Sequence, residues 1–309
     1  MPSRFYRKFD SQKIYRNWAD NETTLPVWHQ PWWLDLTSKG EWSAVFLEYG
    51  SGVVGSIPFT HRSKYGLKIL TQPSLSQCLG PWLRCENNDL ERPEIQFKKL
   101  KALIKRIPTV ISYQQNWSPE ISNLVPRKLR NFQSSTLYTH RINLLNQSTI
   151  LRNGLNENRI RELKKSQEIN KIYTKITYDV DEIWTPILST FERQGKEMPY
   201  DKNIFAEILK LGKDTNKSFG VIACDSNANI SASGIFVCDN VRTYYLAGGY
   251  LNPKFSNMTL VLWDAIHEAK NRGSKIFDFE GSMIPTIAEF FRSFGAVQTP
   301  YLKVWKNLI

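Results

Sequence analysis

The chain has 309 residues, a length that suits two domains of ordinary size. Hydrophobic residues make up 41% of it, enough for packed cores, and the net charge is +12. No window approaches 18 uninterrupted apolar residues, which excludes a membrane-spanning helix, and Met1 to Trp18 is basic with no apolar run, unlike a secretory signal. A cytoplasmic location and no membrane insertion are therefore expected. The charge draws anions such as nucleic acid or phosphate-bearing small molecules, or is simply a solvated surface. Cys78, Cys85, Cys224 and Cys238 form no C-x-x-C pair, and His29, His61, His140 and His267 are scattered, so reduced thiols and no metal site are expected.

Ser43 to Tyr49 alternates and is rich in β-formers, Gly50-Ser-Gly52 is a turn, and Val53 to Phe59 returns, which predicts a hairpin. Gly50-x-Gly52-x-x-Gly55 matches the dinucleotide-binding glycine pattern, but that pattern needs a helix next and Pro58 stands in the way. Residues 66–83 read as strand, loop, strand. Glu91 to Arg106 has helical spacing, and short strands follow at Thr109–Tyr113 and Tyr138–Leu144.

The polar stretch Asn146 to Gly154 is the expected boundary between domains 1–150 and 151–309. A basic helix is expected over Asn156–Asn170, then a strand at Tyr173–Tyr178. Helices follow at Asp181–Arg193 and Asn203–Leu211, and strands at Ser218–Ala223, Ile230–Cys238 and Arg242–Gly248. A helix over Thr259–Arg272 stops at Gly273, a strand covers Lys275–Glu280, a helix over Thr286–Phe294 stops at Gly295, and Tyr301–Lys306 is a last strand. Three consecutive strands argue for antiparallel pairing, and the later strand-helix-strand for a mixed sheet, an α+β class.

Several segments carry a resemblance. Tyr244-Tyr-Leu-Ala-Gly-Gly-Tyr250, Leu260-x-x-Trp263-Asp-Ala-Ile-x-x-Ala269, Phe277-Asp278-Phe-Glu-Gly281 and Glu289-Phe-Phe-Arg-Ser-Phe-Gly-Ala296 run in succession. With Asn158-Arg159-x-Arg161-x-Leu163-Lys164-Lys165, Phe191 to Tyr200, Gln30-Pro-Trp32-Trp33 and Gln77-Cys-Leu-Gly80-Pro81-Trp82, this succession resembles the Fem-type branch of the GNAT acyltransferase superfamily, which includes peptidoglycan-bridge and BioF-like acetyltransferases. The resemblance implies tandem GNAT-like domains, each a mostly antiparallel sheet flanked by helices. It also implies acyl-CoA as co-substrate and an amine as acceptor. The chain departs from the superfamily's glycine-rich pyrophosphate loop: Asn252-Pro-Lys-Phe-Ser-Asn-Met258 has no glycine. Lys254, Ser256 and Asn257 are the candidates there, since a helix N-terminus holds phosphate without glycines.

Acyl transfer to an amine needs a polarised carbonyl, a base and an acid. Gly248 and Gly249 suit close backbone approach to the carbonyl, or form a turn. Asp278 and Glu280, two apart on the expected strand, share a face and suit a base, or lie solvated at the strand end. Tyr245 and Tyr250 are candidate acids or core aromatics. His29 is a candidate base or a capping histidine. Arg159, Arg161 and Lys164 suit a phosphate-bearing substrate or a solvated helix face. Trp32, Gln77 and Tyr200 are further substrate-binding candidates through the resemblance.

The expected function is an acyl-CoA-dependent N-acyltransferase acting on a nucleotide-linked amino sugar, such as a dTDP-linked 3-amino-3,6-dideoxyhexose of surface-glycan (O-antigen, capsule or lipopolysaccharide) synthesis. Its partners are small molecules, and nucleic acid is not expected. The alternatives are an aminoacyl-tRNA-dependent peptidoglycan-bridge transferase and a non-catalytic, basic nucleic-acid-binding protein.

Overall fold

The computed structural model describes residues 8–50, 52–64, 66–84, 93–122, 129, 131–145, 148–253 and 257–307. Contacts divide the chain into two compact units, 1–137 with 300–309, and 138–299. The division falls at 137/138 and not at 150, and it assigns the last ten residues to the first unit. Strand pairing is the reason: Tyr138 onward belongs with the strands of the second unit, whereas residues 302–307 pair in the first.

The first unit contains α1 (Lys8–Ala19), a 3-10 turn (Val27–His29), α2 (Pro31–Ser38), β1 (Trp42–Tyr49), β2 (Gly52–Lys64), β3 (Leu67–Thr71), β4 (Trp82–Leu83), α3 (Pro93–Ile104), β5 (Ser112–Trp117) and α4 (Pro119–Ser122). β6 (Gln133–Asn143) leads out of it and β12 (Val297–Asn307) returns to it. The strand order is β1-β2-β3-β5-β12, with β4 on β2. The glycine pattern builds the hairpin: β1 and β2 pair from Trp42↔Thr60 to Tyr49↔Gly52. Gly55 has a packing role, because a Cβ there would lie 3.0 Å from Leu83 Cδ2 and 3.3 Å from the Trp82 carbonyl. Sequence periodicity missed α1, whose buried residues among those described, Ser11, Gln12 and Tyr15, include two polar ones. Gln12 Nε2 donates instead to the carbonyls of Gly40 and Trp42.

The second unit follows with α5 (Ser148–Asn153), α6 (Glu157–Lys164) and a π-helical turn (Lys165–Ile169), then β7 (Tyr173–Thr177), α7 (Val180–Arg193), α8 (Lys202–Thr215), β8 (Ser218–Cys224), β9 (Ile230–Cys238), β10 (Arg242–Tyr250), α9 (Met258–Asn271), β11 (Ile276–Asp278) and α10 (Pro285–Arg292). The strand order is β6-β11-β10-β9-β8-β7, and β10–β11 is parallel. The basic helix is thus shorter than expected, its end converted to a π turn, and β11 is three residues, not six. Asp179 and Asp201 cap α7 and α8 by accepting from the amides of Asp181 and Asn203. The core is aromatic: Phe236 stacks on Phe219 at 5.0 Å, and Phe279 stacks on Phe291 at 4.7 Å. Both units have the mixed α/β architecture expected for tandem GNAT-like domains.

Candidate active site

β10 and β11 pair over only three residues, from Arg242↔Ile276 to Tyr244↔Asp278. β11 then ends while β10 runs on to Tyr250, with a bulge between Tyr245 and Ala247. The two strands part, leaving the far half of β10 without a β11 partner.

The end of β11 is held in place by a buried carboxylate. Asp278 is 0% exposed and accepts from Thr139 Oγ1, from Arg141 Nε at 2.6 Å and from the Glu280 amide at 2.9 Å. Thr139 and Arg141 lie on β6, and neither was singled out from sequence; alternation along that strand was the only signal. With these three bonds, Asp278 anchors the end of β11. Removing it breaks the buried ion pair with Arg141, whose side chain is only 14% exposed. Asp278→Ala is expected to destabilise the fold by about 3–5 kcal/mol, read by denaturant unfolding.

Glu280 does not continue the strand. It takes a left-handed φ of 58°, followed by Gly281 at φ 74°. The shared strand face of Asp278 and Glu280 is therefore corrected. What links them is a turn, in which the Asp278 carboxylate holds the Glu280 amide. Glu280 is half-buried, and its Oε1 is shielded from solvent. Burial first, and the Asp278 charge second, push its carboxyl well above the ordinary range.

Two phenols share this surrounding. Tyr200 titrates above its ordinary value because of burial and then the Glu280 charge. Tyr245 is raised by burial and by Tyr200. The Tyr245 ring sits 5.6 Å from Phe236 and 6.1 Å from Phe291. A Cβ on Gly248 would lie 2.3 Å from the Tyr245 hydroxyl, so this glycine leaves room for the phenol. Gly249 serves packing, since a Cβ there would meet the Pro186 carbonyl at 2.4 Å and Ile187 Cα at 2.6 Å on α7. Tyr250 lies under the Arg193 guanidinium at 4.4 Å, and its carbonyl accepts from Arg193 Nη2 at 2.7 Å.

A second group gathers where α9 begins. Asn257 holds the N-cap position at φ 48°, but its side chain does not cap the helix. Its Oδ1 accepts from Ser166 and its Nδ2 donates to Ser231, each at 2.9 Å. Arg159 reaches the same turn: Nη1 donates to Thr259 Oγ1 at 2.7 Å and pairs with Glu162 at 2.8 Å, and its guanidinium lies 4.8 Å from the Phe290 ring. A cation at the positive end of a helix suits an anionic ligand. Arg161 is exposed and bonds Asn158 on its own helix, and Lys164 is exposed. Lys254 and Ser256 lie outside the described residues.

The first-unit candidates read as structural. His29 is 2% exposed in the 3-10 turn, and burial pushes its imidazole down to about 3. It is neutral and enclosed, which is the wrong setting for a base that must reach substrate. Trp28 and Trp33 are core residues 4.8 Å apart. Trp32 Nε1 donates to Gln30 Oε1 at 2.6 Å, and the Gln77 carbonyl accepts from Asn116 at 2.9 Å. Because folded His29 takes its proton only near pH 3, the unfolded chain binds more protons between there and the ordinary 6.5. Stability should fall as pH drops through that window. His29→Gln should flatten the fall in a series of denaturant midpoints.

Among the described residues, no three His, Cys, Asp or Glu side chains gather as a metal site. No described helix is long and apolar enough to cross a membrane.

No protein-family model matches the sequence, and no curated protein matches it. Solved structures do. FemX aligns over 98% of this chain and 97% of its own, at 10% identity and a TM-score of 0.67. The fold is shared with FemX. The C-terminal domain of a putative lysylphosphatidylglycerol synthetase from Agrobacterium fabrum aligns over 96% of this chain and 92% of its own, at 11% identity and a TM-score of 0.55. A conserved protein of unknown function from Bacteroides thetaiotaomicron covers 99% of both chains, at 9% identity and a TM-score of 0.55.

Proposed function

We propose that the chain is an acyltransferase that moves an acyl group from an activated carrier to an amine at the end of β11. The parting of β10 from β11 beside Glu280, Tyr200 and Tyr245 carries this reading. In it, Glu280 takes the proton of the attacking amine as the new C–N bond forms. A carboxyl titrating above its usual range is the stronger base once ionised. As the bond to the carrier breaks, one of the two phenols donates a proton to the leaving atom. Arg159 and the first turn of α9 hold phosphates of the carrier.

Two carriers fit this chemistry. Acyl-CoA with a nucleotide-linked amino sugar is the reading from sequence, and the nucleotide-sugar part gains nothing from the fold comparisons. An aminoacyl-tRNA donor is favoured by the full-length likeness to FemX, and the charge of +12 suits it. The purified chain should be offered acetyl-CoA with a panel of amines, and separately charged tRNA with the same panel. Free thiol or loss of the aminoacyl ester identifies the carrier. Neither, together with tRNA binding that falls steeply with salt, would sink the enzyme and leave the nucleic-acid-binding reading.

A further inference from the structure

A cavity lies in the second unit, beside α6 and α9. It has a volume of about 330 Å³ and is lined by residues from α5 to the π turn and by Trp263 and His267 of α9. Sites for small organic ligands begin near about 300 Å³ and combine an apolar lining with a few polar groups. Here Leu155 and Leu163 are buried, and Trp263 and His267 stand edge to face with ring centroids 4.6 Å apart. Arg152 and Lys164 supply two exposed cations, against one carboxylate from Glu168.

The lining is built rather than accidental. The helix lines the cavity from Ile160 and leaves α geometry over Lys165–Ile169, whose Gln167 and Glu168 also line it, and π turns of this kind frequently mark functional positions. The distorted turn is secured by its buried Ser166, which donates to Asn257. Burial and the nearby Lys270 lower the His267 imidazole, against the pull of Asp264. A neutral imidazole offers one donor and one acceptor beside the indole.

We infer that this cavity is a binding site for a small planar aromatic anion, its ring against Trp263 and His267 and its acidic group toward Arg152 and Lys164. The inference rests on the cavity alone and not on the proposed acyl transfer.

Calorimetric titration of the full chain with 2-naphthoate tests it, beside the neutral 2-naphthalenemethanol and the cationic 2-naphthylmethylamine. The expected result is saturable one-site binding of the naphthoate, about tenfold tighter than the alcohol, with the amine weakest. Leu163→Trp should abolish binding by filling the space. If that variant does not fold, the exposed double variant Arg152→Gln/Lys164→Gln decides: naphthoate should fall to the affinity of the alcohol. Absence of saturable binding, equal affinity for the three probes, or naphthoate binding unchanged in the double variant would overturn the proposal. Because binding is read directly, its outcome is separate from that of the transfer assay.

Discussion

Glu280→Gln is expected to lower the transfer rate by about two to four orders of magnitude. The same change should make the folded protein more stable at neutral and alkaline pH. Burial and the Asp278 charge hold the folded Glu280 carboxyl above its ordinary value of 4.5. The folded state therefore binds more protons than the unfolded chain above that pH, and stability declines as pH rises through the folded value. Glutamine cannot ionise, so the variant escapes the decline. Denaturant midpoints taken from pH 4 to pH 9 should show the two proteins converging at the acid end and separating above it. The rate–pH profile supplies a second readout: the wild-type acid limb should sit above the usual carboxylate range and vanish in the variant. Wild-type activity in Glu280→Gln would remove this residue from the mechanism.

Gly281→Ala should also have a large effect on folding, a loss of about 3 kcal/mol or more, measured by urea unfolding. Two independent costs coincide there. The backbone stands at φ 74°, where a Cβ is strained. That Cβ would also lie 2.1 Å from the Tyr138 carbonyl and 2.6 Å from Thr139 Cα. Neither neighbour is a flexible side-chain tip, so β6 itself would have to move. Since Thr139 and Arg141 hold Asp278, the displacement should reach Glu280 and lower activity in the protein that remains folded. Gly273→Ala is the control, because that glycine has a φ of 88° but nothing within 4 Å of its Cβ. It carries the strain without the collision and should cost less.

From α6 onward, the order of helices and strands in the second unit was legible because its elements are strongly periodic. β9 runs over Ile230–Cys238 as read, and α9 differs from its expected bounds by one residue at each end. Glu280 and Tyr245 were both singled out, yet their setting was not legible. Reading Asp278 and Glu280 as one strand face required β11 to continue, and its end is set by contacts with β6, more than 130 residues away in sequence for the Asp278–Arg141 pair. No local pattern reports such a contact. The two carboxylates looked alike in sequence, and three hydrogen bonds distinguish them in the fold. In the first unit, Trp32 was a substrate-binding candidate, and only the fold shows its Nε1 donating to Gln30 Oε1.

The returning strand β12 bears on how the chain acquires its structure. Leu302–Asn307 lies antiparallel to Trp117–Ser112 of β5, so the first unit is assembled from segments far apart in sequence. During synthesis, residues 138–299 can complete their own contacts while β5 still presents an open edge. Such an edge is a template for pairing with another chain. A fragment ending at residue 137 would keep that edge permanently and should aggregate, whereas supplying residues 297–307 as a separate peptide should restore solubility.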